Sequence, residues 1–258
     1  MIASARLVLA LAVAVLATPA LALWQVVALR TGRLDPHRAP RAWHRLMARL
    51  LGLKITAHGK PAGDRPLLIA CNHVSWTDIT VLGAIADVHF IAKADVAGWP
   101  VMGPLSRLQR TVFVERGARR RSGAQVGEIA ARLAEGDAMV LFAEGTTGDG
   151  NRVLPFNSTL FGAAVGSGTG VAIQPVAIVY TRLHGIAMGR RHRRHAAWIG
   201  DQTLVPHLAR LLREGALDVE VHFGEPLAFG PDEGRKDIAR AVEARVRAMM
   251  EAALRNPA

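Results

Sequence analysis

The chain has 258 residues, half of them apolar, and a formal net charge of +11 at pH 7. A chain of this length and apolar content can bury a core, which excludes a wholly disordered protein. Its single cysteine excludes an internal disulfide framework and a structural zinc site built from thiolates. The positive charge calls for an anionic partner, and aromatic residues at only 5% favour a membrane surface over base-stacking nucleic acid.

The N-terminal segment is strongly apolar. Residues 7–29 contain no charged side chain, and 23 such residues are enough to span a hydrocarbon core of about 30 Å. We predict a membrane anchor here, and the alternative is a cleaved signal peptide with its small-residue site at Ala20 and Ala22. Five arginines lie between positions 30 and 45, whereas only Arg6 precedes the run. The positive-inside rule therefore places the rest of the chain in the cytoplasm.

The rest of the chain predicts an α/β fold. Residues 41–53 form an amphipathic helix that suits either the headgroup region of a membrane or an ordinary core contact. From residue 53 onwards, short β-rich runs alternate with helical patterns, which indicates a mixed, largely parallel sheet flanked by helices. We predict two parts, an anchor and interfacial helix over 1–52 and a catalytic domain over 53–258.

Polar residues follow three of the predicted strands, where functional groups of α/β sheets gather. NHVSWTD (72–78) follows LLIAC, Arg116 follows TVFVE, and EGTTGDG (144–150) follows AMVLFA. His73 and Asp78 would lie about 140° apart on a continuous helix. They can meet only if the strand ends, the chain turns, and a helix begins near Asp78.

A histidine held by an aspartate is suited to act as a general base for an alcohol. The sequence contains no nucleophile elbow, HExxH zinc motif or Walker loop, so we expect the substrate to bring its own hydroxyl. The turn from Glu144 to Thr146 could hold an anion or be an ordinary β-turn. Arg116 could clamp a phosphate or be a solvated charge. The basic runs 116–121 and 189–195 suit anionic headgroups or an acidic carrier protein, or are solvated loops.

Four blocks carry a resemblance to a known family. NHVSWTD, VFVER, LFAEGTTGDG and IQPVAI, in this order, resemble the PlsC-like glycerolipid acyltransferases over about Leu53 to Tyr180. The resemblance implies transfer of a fatty acyl group from acyl-CoA or acyl carrier protein to a lysolipid hydroxyl at the bacterial inner membrane. It implies no metal, no prosthetic group and no nucleic-acid partner. His73 then matches the base and Asp78 its partner. The implied substrate-binding residues are Lys93, Phe113, Arg116, Glu144, Gly145 and Thr146.

Two blocks depart from the family pattern. The second block usually begins with glycine, whereas Arg110 stands three residues before Phe113. The third block usually reads F-P-E-G-T-R, and here Ala143 and Thr147 replace the proline and the arginine. Arg110 and Arg152 are candidates to replace the lost charge. The resemblance favours 1-acyl-sn-glycerol-3-phosphate as acceptor, giving phosphatidic acid, and the EGTTGDG variant resembles a bacterial subgroup that acts on lyso-ornithine lipid.

A different class of function also stays open. The chain could be a membrane-tethered protein that binds anionic lipid or nucleic acid without catalysis, in which case His73 and Asp78 would be dispensable. An esterase is disfavoured because no serine has the context of a nucleophile elbow.

Overall fold

The computed structural model describes residues 2–114, 122–162, 170–200, 202–230 and 234–257. The chain begins with two helices, α1 (Ile2–Thr31) and α2 (Arg38–Leu51). Helix α1 is long and apolar enough to cross a membrane, with a mean hydropathy of 2.4. Helix α2 ends at Gly52, whose positive φ of 71° closes the helix in the left-handed conformation that glycine adopts readily.

Helix α1 contacts the rest of the molecule near both of its ends and at its middle. Arg6 donates to the Leu50 carbonyl oxygen at 3.2 Å, and the Gln25 amide donates to the Leu108 carbonyl oxygen at 3.0 Å. Between them, the Trp43 indole N–H donates to the Thr18 hydroxyl at 3.1 Å. Helix α1 therefore lies along the domain. Its outward side exposes large apolar side chains, among them Val8, Leu9, Val15, Leu16 and Leu23.

Strands from all parts of the described domain join in one sheet. They are β1 (Leu53–His58), β2 (Leu67–Cys71), β3 (His89–Lys93), β4 (Val112–Val114), β5 (Ala138–Phe142), β6 (Val171–Leu183), β7 (Ile186–Ala187), β8 (Leu217–Phe223) and β9 (Leu227–Phe229). The order is β1-β8-β6-β2-β5-β3-β4, with β7 and β9 also paired to β6. Strand β6 is antiparallel to β7, β8 and β9, and the other pairs are parallel. The predicted mixed, largely parallel sheet is confirmed.

Helices cover both faces of this sheet. The remaining helices are α3 (Thr77–Ile85), α4 (Met102–Leu108), α5 (Ser122–Ala134), α6 (Arg190–Arg193), α7 (Leu204–Glu214) and α8 (Arg235–Arg255). Helices α2, α3 and α7 contribute to the core on one face, and α5 and α8 contribute to the core on the other. Every residue of β2 is buried, as expected for a parallel strand covered on both sides.

Helix α2 settles one of the alternatives left by the sequence. Its buried residues are Ala39, His44, Ala48 and Leu51, and the helix packs against α3. This face of the helix therefore packs on the core. The division at residues 52 and 53 stays a prediction.

Candidate active site

The predicted strand, turn and helix bring His73 and Asp78 together. Strand β2 ends at Cys71 and α3 begins at Thr77, so the two residues stand on either side of a tight turn. The His73 Nδ1 atom lies 2.8 Å from Asp78 Oδ2. The Asp78 side chain is fully buried, whereas 17% of the His73 side chain is exposed. The histidine can therefore reach a substrate while the aspartate cannot.

The Asp78 carboxylate is held by three donors besides His73. The backbone N–H groups of Val74 and Ser75 donate to Oδ2 at 2.7 and 3.0 Å. The Tyr180 hydroxyl donates to Oδ1 at 2.7 Å. These bonds satisfy a carboxylate that has no access to water. Because the carboxylate accepts from Nδ1, the hydrogen of neutral His73 stands on Nδ1 and the lone pair of Nε2 is left to take a proton.

Tyr180 is a residue that the sequence analysis missed. It is the single tyrosine of the chain, lies buried in β6, and also bonds to the Thr77 hydroxyl at 2.5 Å. Burial raises the pKa of Tyr180 well above its usual value, and the charge of Asp78 adds to this effect. The hydroxyl therefore keeps its hydrogen and stays a donor. A hydroxyl within the apolar run VAIVY was the signal that could have identified it.

Asn72 fixes the start of the turn that carries His73. Its side-chain amide donates to the Ile178 carbonyl oxygen at 2.9 Å, and its side-chain oxygen accepts from the Ile178 N–H at 2.8 Å. One side chain thus satisfies both backbone groups of Ile178 and ties the start of the turn to β6. The His73 ring stacks on Phe142 with 3.9 Å between ring centroids, which sets the plane of the imidazole.

Glu144 points inward and joins two loops. Its Oε1 accepts from the Leu154 N–H at 3.0 Å, and its Oε2 lies 3.4 Å from the His73 backbone nitrogen. Burial raises the pKa of Glu144 to about 8, with the nearby charge of Asp78 acting in the same direction, although the two backbone hydrogen bonds oppose the shift. Gly145 donates its N–H to the Phe142 carbonyl oxygen at 3.1 Å, and Thr146 is exposed.

The other predicted substrate-binding residues lie on neighbouring elements. Phe113 is half-buried in β4, and the guanidinium carbon of Arg107 lies 6.0 Å from its ring centroid. Lys93, at the carboxyl end of β3, pairs with the exposed Asp95. Arg116 lies outside the described residues. The roles of all these residues in binding stay predictions.

Arg110, proposed as a replacement for the missing arginine, is engaged elsewhere. Its guanidinium lies 3.5 Å from a carboxylate oxygen of Glu135 and 3.8 Å from one of Asp137. Its backbone carbonyl accepts from Arg132. These contacts favour Arg152 over Arg110 as the source of a compensating charge.

The two replacements in the third block have structural uses. Ala143 donates its N–H to the Cys71 carbonyl oxygen at 3.0 Å, a bond that proline could not make. The Thr147 hydroxyl donates to the Trp198 carbonyl oxygen, and the Trp198 N–H donates to the Val74 carbonyl oxygen at 3.0 Å. The Trp198 backbone thereby connects the loop after β5 to the loop that carries His73.

A group of possible metal ligands lies outside this site. Glu220 Oε2 is 3.2 Å from His58 Nε2 and 3.1 Å from His222 Nε2, and the two imidazole rings stack 4.2 Å apart. These donor atoms could hold a metal ion. They stand on β1 and β8, and β8 is two places from β2 in the sheet order. The proton-transfer chemistry available to His73 makes no use of them.

Comparison with known proteins decides the family. The family model described as Acyltransferase matches residues 54–179. A lyso-ornithine lipid O-acyltransferase of Brucella abortus is 51% identical over 98% of this chain and 97% of its own length. The chain belongs to the acyltransferase family. This acyltransferase, like its relatives, acts on lysolipids.

More distant similarity agrees with this family. A 1-acyl-sn-glycerol-3-phosphate acyltransferase of Neisseria gonorrhoeae is 36% identical over 47% of this chain and 47% of its own. The crystal structure of the 1-acyl-sn-glycerophosphate acyltransferase PlsC from Thermotoga maritima superposes with a TM-score of 0.63 at 22% identity. The similarity covers 98% of this chain and 97% of the Thermotoga maritima chain, and it shows that the two chains share a fold.

Proposed function

We propose that this acyltransferase transfers a fatty acyl group to the hydroxyl of lyso-ornithine lipid. The supporting observation is similarity along nearly the whole chain to a protein named for that activity, at 51% identity. Similarity to the relative named for 1-acyl-sn-glycerol-3-phosphate covers less than half of the chain. Thr147 agrees with this choice, because its hydroxyl bonds the Trp198 carbonyl where the phosphate-binding pattern has an arginine.

His73 begins the reaction as general base. Its Nε2 takes the proton of the acceptor hydroxyl as the oxygen attacks the thioester carbonyl carbon. The imidazolium that forms donates from Nδ1 to the Asp78 carboxylate, which is buried and fixed by three further donors. Collapse of the tetrahedral intermediate breaks the carbon–sulfur bond, and the imidazolium returns its proton to the leaving thiolate. The products are the ester and a free thiol.

The acyl donor is acyl-CoA or acyl carrier protein, and the chemistry requires no prosthetic group or metal. This part of the proposal follows from the resemblance of the four blocks to PlsC-like enzymes. A thioester already carries a good leaving group, so a base and a positioned hydroxyl are sufficient for transfer.

The site of action is the cytoplasmic side of a bacterial inner membrane. Support comes from the exposed apolar side of α1 and from the arginines that follow this helix. Because α1 contacts the domain at Leu50, Trp43 and Leu108, insertion of its apolar side would bring the domain to the membrane surface.

A direct competition between acceptors tests the function. Membranes containing the protein would receive an acyl donor with lyso-ornithine lipid and 1-acyl-sn-glycerol-3-phosphate together, and products would be identified by mass. We expect ornithine lipid as the main product, and no product from His73→Ala. Phosphatidic acid as the main product would contradict the proposed acceptor. Equal turnover by His73→Ala would contradict the proposed base.

A further inference from the structure

The basic segment, residues 189–195, packs against the loop that follows Glu144. This segment contains the short helix α6. Arg193 donates from Nη1 to the Asn151 side-chain oxygen at 2.8 Å, and the Asn151 amide donates to the Arg190 carbonyl oxygen at 3.1 Å. These contacts hold Arg193 on the loop, while Arg190, Arg191, His192 and Arg194 stay exposed.

Asp149 stands in the same network with the opposite charge. Its carboxylate oxygens accept from the Asn151 N–H at 2.9 Å and from the Asn151 side-chain amide at 3.0 Å. Partial burial opposes its ionisation, but these bonds and the charges of Arg152 and Arg194 outweigh burial and lower the pKa of Asp149. Asp149 is therefore ionised at neutral pH, and it is half-buried beside several arginines.

Arg193 keeps hydrogen-bond donors for a ligand. One of its five N–H groups binds Asn151. Its Nε is buried, so the donors left for a ligand are those on the two terminal nitrogens. A guanidinium with unused donors is suited to a carboxylate, which it can bind through two parallel hydrogen bonds. Asp149 and Arg193 thus offer a negative and a positive group on either side of Asn151.

This charged pair lies next to the loop that carries the proposed base. Gly148, the neighbour of Asp149, donates its N–H to the His73 carbonyl oxygen at 2.7 Å. At Gly150 an added Cβ would stand 3.2 Å from Val74 and 3.8 Å from Cβ of Arg193. Gly150 therefore packs directly on Val74, the residue after His73, with Arg193 close by.

We propose, resting on the proposed function, that Asp149 and Arg193 form the site for a zwitterionic acceptor headgroup. An ornithine joined to its acyl chain through an amide carries one ammonium and one carboxylate. Asp149 binds the ammonium and Arg193 binds the carboxylate, while the lipid hydroxyl reaches His73. A phosphate headgroup lacks the ammonium and is repelled by Asp149, so the pair also selects against 1-acyl-sn-glycerol-3-phosphate.

Two substitutions, each combined with a matched acceptor, test the pair. Purified full-length protein would be assayed for kcat/KM with lyso-ornithine lipid, its N-acetylated derivative without the ammonium, and its carboxamide derivative without the carboxylate. We expect Asp149→Asn to lower kcat/KM on lyso-ornithine lipid about tenfold to a hundredfold relative to wild type. The same variant should leave kcat/KM on the N-acetylated acceptor unchanged. Arg193→Gln should show the same loss on the parent acceptor and none on the carboxamide. Arg213→Gln, at an exposed arginine of α7 outside the basic segment, is the control and should change no value by more than about twofold.

The matched acceptors separate binding from folding. Asparagine at position 149 keeps an oxygen for the Asn151 N–H, and activity on the N-acetylated acceptor shows that the variant is folded. Equal losses on parent and derivative acceptors would overturn the headgroup site, as would parent activity unchanged in both variants. If wild-type protein acylates 1-acyl-sn-glycerol-3-phosphate and ignores lyso-ornithine lipid, the proposed function itself is overturned.

Discussion

Tyr180→Phe tests whether the Tyr180 hydroxyl positions the Asp78 carboxylate, because the change leaves Asp78 itself in place. The change removes one hydroxyl and leaves the ring in the core of β6, so the buried Oδ1 atom of Asp78 loses its 2.7 Å donor. Thr77 loses its partner on the same hydroxyl. The three donors on Oδ2 stay in place. The carboxylate therefore remains bonded to His73, with less control over its rotation.

The expected loss follows from the kind of bond removed. A hydrogen bond to a charged group contributes about 1.5–3 kcal/mol, and the free energy of unfolding should fall by about that amount. If about 1.4 kcal/mol of this hydrogen-bond free energy stabilises the transition state of acyl transfer, its loss lowers kcat about tenfold. KM should stay unchanged because Tyr180 is buried and does not reach the acceptor.

Initial rates at varied acceptor concentration, together with denaturant unfolding, would measure these effects. Thr181→Val is the matched control, because Thr181 is the next residue of β6 and its buried hydroxyl has no partner among the described residues. The control should keep the wild-type kcat. Wild-type values for Tyr180→Phe as well would refute the view that its hydroxyl positions Asp78.

Three further substitutions test the rest of the site. His73→Ala should abolish turnover and, because it also removes a hydrogen bond to the buried Asp78 carboxylate, lower the free energy of unfolding by about 1.5–3 kcal/mol while leaving the protein folded, as measured by product mass and thermal unfolding. The pKa of Glu144 is about 8 in the folded protein and about 4.5 in the unfolded chain. Between these pH values the folded protein keeps the proton and the unfolded chain releases it. The free energy of unfolding therefore falls as the pH rises from about 4.5 to about 8. Denaturant titrations of Glu144→Gln against wild type should show this difference as a slope of up to about 1.4 kcal/mol per pH unit, and parallel curves would contradict it. Thr147→Val should cost about 1 kcal/mol of stability by removing the bond to Trp198, and unchanged stability would show that this bond contributes little.

The sequence was informative about the fold and about the central pair. Buried runs such as LLIAC and the alternation of strands and helices predict an α/β sheet, because these patterns are local consequences of burial. The meeting of His73 and Asp78 also depends on local geometry, since one strand end and one helix start bring them together.

Other parts of the site depend on contacts that no local pattern records. Tyr180 and Asn72 act through hydrogen bonds between positions 102 and 106 residues apart. In the sequence, Thr147 indicated only the loss of an arginine. Its bond to Trp198 forms only when the chain around Trp198 packs on the loop after β5. The sequence left Arg110 as a candidate for the missing charge, whereas the structure pairs it with Glu135 and Asp137.

The Asn72 and Tyr180 bonds have a consequence for the order of folding. Both reach into β6, so the turn around His73 lacks its anchors until a strand about a hundred residues later has joined the sheet. Contacts of such separation form slowly because a long loop must close before they contribute. On a ribosome, the His73 turn would emerge well before its anchors. We expect a chain released before residue 180 to contain every residue of the NHVSWTD block and still to have no activity.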